Sequence, residues 1–249
     1  MDAGPPMVGA PQLPDLREEG RRVIALAHER GVPVRLMGGV AVSLRCPSAA
    51  RPPLVREYKD IDLAGLGSAR REIVGLLLEL GYLADEEFNA LHGRTRLLFH
   101  DPRGRQLDVI LDRFEMSHEL DLRERLLLDA ETLTPADLLL TKLQVVELNE
   151  RDLKDAASLL HDHDSLDERV AGLLAGDWGW WRTATSNLDQ LAQWVSTLAA
   201  FEQGTEWVQS RIRTLTRAID DQPKSLRWKA RAKVGERVRW YELPEEPEA

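Results

Sequence analysis

The chain has 249 residues with 42 acidic and 33 basic side chains, a net charge of −9, and is 43% hydrophobic and 30% charged. That composition is ordinary for a soluble globular protein and argues against one that coats nucleic acid generally; the length allows one large core, or a catalytic domain beside a smaller helical one. No stretch approaches the roughly 18 apolar residues of a membrane span, and a lone cysteine, Cys46, excludes an internal disulfide and fits a reducing cytoplasm.

Residues 1–14, rich in Pro, Gly and Ala without basic residues, read as a loose tail and not as a signal peptide. Asp15 to Arg30 places Leu16, Val23, Ile24, Leu26 and Ala27 among charges, an amphipathic helix that Gly31 can end. Val32 to Met37 reads as a strand that stops at Gly38-Gly39, and Val40 to Leu44 as the opening of a helix. Glycines there let a phosphate approach the backbone, and the helix start offers it unpaired N–H groups. Further on, Asp60 and Asp62 flank Ile61; on a strand the period of two points both carboxylates to one face. Two acids on one face call for a cation between them, for which a divalent metal with a nucleotide phosphate is the usual answer.

Ser68 is read as the N-cap of a helix through Leu80, stopped by Gly81. Arg94 to His100 and Gln106 to Arg113 are strand-like and joined by Asp101-Pro-Arg-Gly-Arg105, so a β-hairpin is predicted. Alternation sets Leu107, Val109 and Leu111 on one face of the second strand and Asp108 with Ile110 on the other. A carboxylate in so apolar a run needs a partner. If this strand neighbours that of Asp60 and Asp62, a third acid joins them, the set a two-metal phosphoryl-transfer centre uses. Asp112, at the strand end, is assigned to solvent.

Beyond Arg113 the pattern is wholly helical. Thr134-Pro135 starts a helix that runs to Leu148 and carries Lys142, either a snorkelling surface lysine or a cation aimed at a triphosphate. A second helix opens at Arg151, Lys154 and Asp155 and ends near His161; His161, Asp162, His163 and Asp164 are polar residues at a helix end and are not assigned to a metal. Stripes at Leu188, Leu191, Trp194, Val195, Leu198 and Phe201, and at Val208, Ile212, Leu215 and Ile219, read as core. Trp178, Trp180, Trp181 and Trp228 are assigned to packing, with base stacking as the other reading. From Arg211 to Arg239 ten Lys and Arg face three acids, a local balance of +7 that leaves −16 on the rest. That asymmetry suits a face presented to a polyanion, or a solvated helical face paired with the acidic body. The divisions expected are a tail over 1–14, an α/β domain over 15–130, a helical region over 131–241 and an acidic tail over 242–249.

Taken in order, Gly38-Gly39, Arg56-Glu-Tyr58-Lys-Asp60-Ile-Asp62, Asp108, Lys142 and Lys154-Asp155 resemble the pattern of the DNA polymerase β-like nucleotidyltransferase superfamily. Within it the chain is similar to the AbiEii-like branch, which includes nucleotidyltransferase toxins of bacterial toxin–antitoxin systems. The match covers roughly residues 20 to 165; the interval from Gly39 to Asp60 is longer than usual, Tyr58 stands for a hydroxyl residue and Ser158 for a second Asp. The resemblance implies an α+β fold, a mixed β-sheet flanked by helices and followed by an all-helical C-terminal region. It implies one or two Mg²⁺ on Asp60, Asp62 and Asp108, with Asp108 assisting the attacking hydroxyl and Lys142 on phosphate. Gly38, Gly39, Ser43, Arg56, Lys59, Lys154 and Asp155 would bind the NTP. The expected partners are NTP, an RNA or tRNA acceptor through Arg211 to Arg239, and an antitoxin protein. The alternatives are an antibiotic- or protein-modifying enzyme and a non-catalytic binding module.

Overall fold

The structure is a computed structural model that describes residues 11–198 and 201–242. Most of the expected N-terminal tail and the acidic tail from residue 243 lie outside the described residues. Residues 11–14, read as loose, are tied down: Gln12 Nε2 donates to Leu80 O at 2.7 Å, and Arg105 donates to the carbonyls of Leu13 and Pro14. Sequence composition could not show these partners, which lie 68 and more residues away.

The chain packs as two compact units. The first takes the described residues through Leu44, then Glu57–Phe114 and Asp121–Thr134; the second takes Arg45–Arg56, Glu115–Leu120 and the described residues from Pro135.

In the first unit, α1 (Leu16–Glu29) starts where Asp15 accepts from the backbone N–H groups of Arg17 and Glu18. The strand β1 (Val34–Met37) runs directly into α2 (Gly38–Arg45), and then come β2 (Ile61–Gly65), α3 (Arg70–Glu79), β3 (Leu83–Ala84), α4 (Glu86–His92), β4 (Arg96–His100) and β5 (Gln106–Leu111). The first helix packs on β1 and α3. The sheet order is β1-β2-β5-β4-β3, with β2 and β5 parallel and the other pairs antiparallel. This is a mixed α+β arrangement, as expected. The predicted hairpin is β4–β5; Asp101 Oδ1 accepts from Arg103 N and Arg105 N, and Gly104 takes φ +81°. Leu36, Leu63, Leu97, Leu107 and Val109 are fully buried between these elements.

Three expectations here are corrected. Ser68 does not cap α3: Gly67–Ala69 winds a 3₁₀ turn first, and Ala69 precedes the helix with no side-chain cap. Asp112 is not left to solvent; it is half-buried at φ 63°, and its Oδ1 accepts from Gly67 N at 3.0 Å. The region past Arg113 is not wholly helical, because β6 (Arg113–Glu115) pairs with β7 (Glu119–Asp121). Three residues are too few for an alternation to stand out.

The second unit is helical: α5 (Pro135–Leu143), α6 (Glu150–Asp162), α7 (Asp167–Gly176), α8 (Trp178–Ser196), α9 (Glu202–Asp221) and α10 (Leu226–Val234). The first of these stops at Leu143 and not at Leu148, since Asn187 Nδ2 donates to the carbonyls of Leu143 and Val145 at 2.9 and 2.7 Å. Leu188, Leu191 and Val195 on α8 and Val208, Ile212, Leu215 and Ile219 on α9 are buried as the stripes predict, whereas Trp194, Leu198 and Phe201 of the first stripe are only half-buried. Among the described residues no helix is long and apolar enough to cross a membrane.

Candidate active site

The turn from β1 into α2 is built for close approach. Gly38 sits at φ +64°, and a Cβ there would lie 1.9 Å from Asp62 Oδ2. No other residue fits both the backbone angle and the space. Across the antiparallel pair Met37 stands opposite Asp62, and across the parallel pair Asp62 stands opposite Asp108. Two of the three predicted carboxylates therefore occupy neighbouring strands at one register, beside the glycine turn.

Asp108 is 6% exposed, and its Oδ1 accepts from Arg96 Nε on β4 at 2.7 Å. The same guanidinium lies 5.4 Å from the Phe88 ring centre. Sequence reading missed Arg96, because an arginine on an exposed strand position has no pattern that ties it to an acid twelve residues on. Asp60 is exposed and precedes β2 by one residue. Among the described residues no group of three or more His, Cys, Asp or Glu side chains is placed to hold a metal ion. Asp62 and Asp108 thus lie side by side on neighbouring strands, with Arg96 bonded to Asp108.

Gly39 follows inside α2, and Ser43 Oγ donates to Val40 O at 2.7 Å within that helix, so its hydroxyl is turned to backbone. Lys59 is exposed and lines a shallow recess with Tyr58 and Arg105.

The remaining predicted residues meet in the second unit. Arg56 donates to Asp155 through Nε and Nη2, each at 2.8 Å, a bidentate pair. Lys142 Nζ lies 2.9 Å from Asp155 and 3.0 Å from Asp152. Burial alone would raise the Asp155 carboxyl, but Lys142 and Arg56 hold it below the ordinary carboxylate range. Burial likewise works against the Lys142 ammonium, and Asp155 with Asp152 overrides it, leaving its pKa above the usual lysine range. Lys142 is thus neither a free surface lysine nor a cation left open to a phosphate. Lys154 Nζ pairs with Glu150 at 3.1 Å and donates to Val55 O at 3.3 Å. His161 pairs with Asp162, whose other oxygen accepts from Ser48 N and Oγ, which ties that polar run into the fold.

The basic segment divides. Arg211 is buried and donates to Asp164 O and Asp167, and Arg231 donates to Gly235 O and Val238 O. Arg213, Arg217, Arg227, Lys229, Lys233, Arg237 and Arg239 stay exposed.

No family model matches the chain, and no curated protein sequence does. Among solved structures the chain is similar to the antibiotic-resistance factor ANT(2'')-Ia, with a TM-score of 0.36 and 15% identity over 80% of this chain and 91% of that one. So loose a likeness carries no functional argument, and the site stands on its own residues.

Proposed function

We propose that the chain is a nucleotidyltransferase that moves a nucleoside monophosphate from an NTP to an acceptor hydroxyl, releasing pyrophosphate, and that the acceptor is RNA, such as a tRNA end. The observation that carries this reading is the juxtaposition of Asp62 and Asp108 on parallel strands beside the Gly38 turn.

In this reading the acceptor oxygen attacks the α-phosphorus in line, the bond to the bridging oxygen breaks, and pyrophosphate leaves with that oxygen. Asp108 takes the proton of the attacking hydroxyl. Its release from Arg96 is then part of engaging the acceptor. The backbone at Gly38 and Gly39 admits the triphosphate. Asp60 and Asp62 would hold a magnesium ion, which would supply charge neutralisation at the triphosphate. The network of Arg56, Lys142 and Asp155 holds its own unit in shape. The exposed cations of α10 and the residues after it favour RNA over a small acceptor, since a row of cations suits a polyanion.

The test is incorporation of four α-labelled NTPs in turn with Mg²⁺, with RNA and protein pools separated afterwards, beside Asp62→Asn. Label entering RNA with the wild type alone is the expected result. Equal incorporation by Asp62→Asn would overturn the chemistry, and label found only in protein or in a small acceptor would overturn the RNA assignment.

A further inference from the structure

The helical unit holds a recess of about 760 Å³ that none of the residues of the candidate active site lines. That volume lies within the roughly 300–1,000 Å³ usual for a bound small ligand or residue. One wall is the first turn of α8, Asp177 to Gly179; another is α10; a third is the strap from Arg239 to Glu242.

The strap is fixed in place. Trp240 Nε1 donates to Thr183 Oγ1 at 3.2 Å, and Glu242 N donates to Ser117 O at 3.2 Å. Gly179 leaves the space it needs, because a Cβ there would come within 2.7 Å of Trp240 O. Arg231, bonded to two carbonyls, lies 4.7 Å over the Trp178 ring and braces the wall. The recess is therefore a built feature and not the loose end of a chain.

Its chemistry has three parts. Trp240 is half-buried, and its aromatic neighbours among the described residues, Trp178 and Tyr241, meet it nearly at right angles, so neither stacks flat on it. Arg227 and Arg239 are exposed cations on the lining. Glu115, Glu119, Asp177 and Glu242 add carboxylates, which only accept hydrogen bonds. A bare anion would be repelled by the acids, and a polycation by the arginines. A ribonucleotide unit satisfies all three, with a flat base, a phosphate, and hydroxyl and amino donors.

We propose that this recess seats one unpaired nucleotide of single-stranded RNA, its base on Trp240 and its phosphates toward Arg227 and Arg239. The exposed Lys229, Lys233 and Arg237 continue the cationic path for the rest of the strand. This names the docking place of the acceptor and rests on the reading given above.

The experiment is equilibrium binding of a labelled ten-nucleotide single-stranded RNA to the full chain, without NTP, by fluorescence anisotropy across a salt series. Trp240→Ala should weaken binding roughly 5- to 150-fold, the range of one base–aromatic stack. Arg227→Ala combined with Arg239→Ala, two exposed positions whose truncation leaves the core intact, should flatten the salt slope by about 1.4, near 0.7 for each phosphate that no longer meets an arginine. Three results would overturn the site: no RNA binding by the wild type at low salt, an unchanged slope in the double arginine variant, or a free ribonucleoside monophosphate binding as tightly as the strand. Because NTP is absent, failure here leaves the transfer chemistry standing, and RNA binding without transfer leaves this site standing.

Discussion

Gly38 and Asp62 face each other so closely that the smallest side chain at position 38 would place its carbon 1.9 Å from the carboxylate oxygen. The glycine is also at φ +64°, where an alanine is strained. Gly38→Ala is therefore expected to lower stability by about 1–3 kcal/mol and to abolish nucleotide incorporation. Thermal unfolding and the labelled-NTP assay, run together, check both. An alanine variant with the wild-type melting temperature and full incorporation would show that the close approach is dispensable.

Arg96 and Asp108 form an ion pair in which the acid is buried and the arginine partly open to solvent. The exposure of Arg96 screens the pair, so Arg96→Leu should cost only about 1 kcal/mol of stability. Asp108→Asn should remove incorporation while leaving the melting temperature within a few degrees. A double-mutant cycle on urea midpoints measures the coupling; a value near zero would mean that Arg96 does not hold Asp108 in solution.

Lys142 shares Asp155 with Arg56 in a buried network. Lys142→Met leaves two acids with one cation fewer, and removal of one partner of a buried pair costs about 3–5 kcal/mol. Urea denaturation at neutral pH reads this directly. The Asp155 carboxyl is held below the ordinary aspartate value of 3.8, so the wild type keeps this contribution above that pH and loses it as pH falls further. A Lys142→Met protein as stable as wild type would remove the network from any account of the fold.

His118 is half-buried, its Nε2 is 2.8 Å from Thr183 Oγ1, and it stacks on Trp180. Burial lowers its pKa from 6.5 to about 4, against a smaller opposing pull from Asp177. Between those values the unfolded chain binds the proton and the folded chain does not, so stability rises with pH through that window and is lost on acidification from 6.5 towards 4. Melting temperatures from about pH 7 down to about pH 4 should fall more steeply in the wild type than in His118→Gln. Parallel curves would show that another group carries the acid sensitivity.

Local signals made much of the candidate site legible. Glycines at a strand end, alternation around Ile61 and an Asp-Pro-Arg-Gly turn each report on a few neighbouring residues, and together they predicted that Asp62 and Asp108 come together if their strands pair. What sequence could not show was where long side chains land. Arg56 reaches Asp155 across 99 positions, and Arg211 turns inward to Asp167, although a charge count places it on a surface. By position Ser43 suits a phosphate, but its hydroxyl bonds the helix backbone. Strap residues such as Trp240 carry no periodicity, and their place is set by partners on α8 and the turn at Ser117.

The order of the chain through its two units has a consequence for how the protein is made. The segment Arg45–Arg56 belongs to the helical unit but is synthesised long before the helices it joins. On the ribosome, Arg56 has no Asp155 to hold until about a hundred further residues have been added. A gene fragment beginning at Pro135 would encode Lys142 and Asp155 without that arginine. The helical half is thus a product of both ends of the message, and cutting the chain between them would separate the network from one of its two cations.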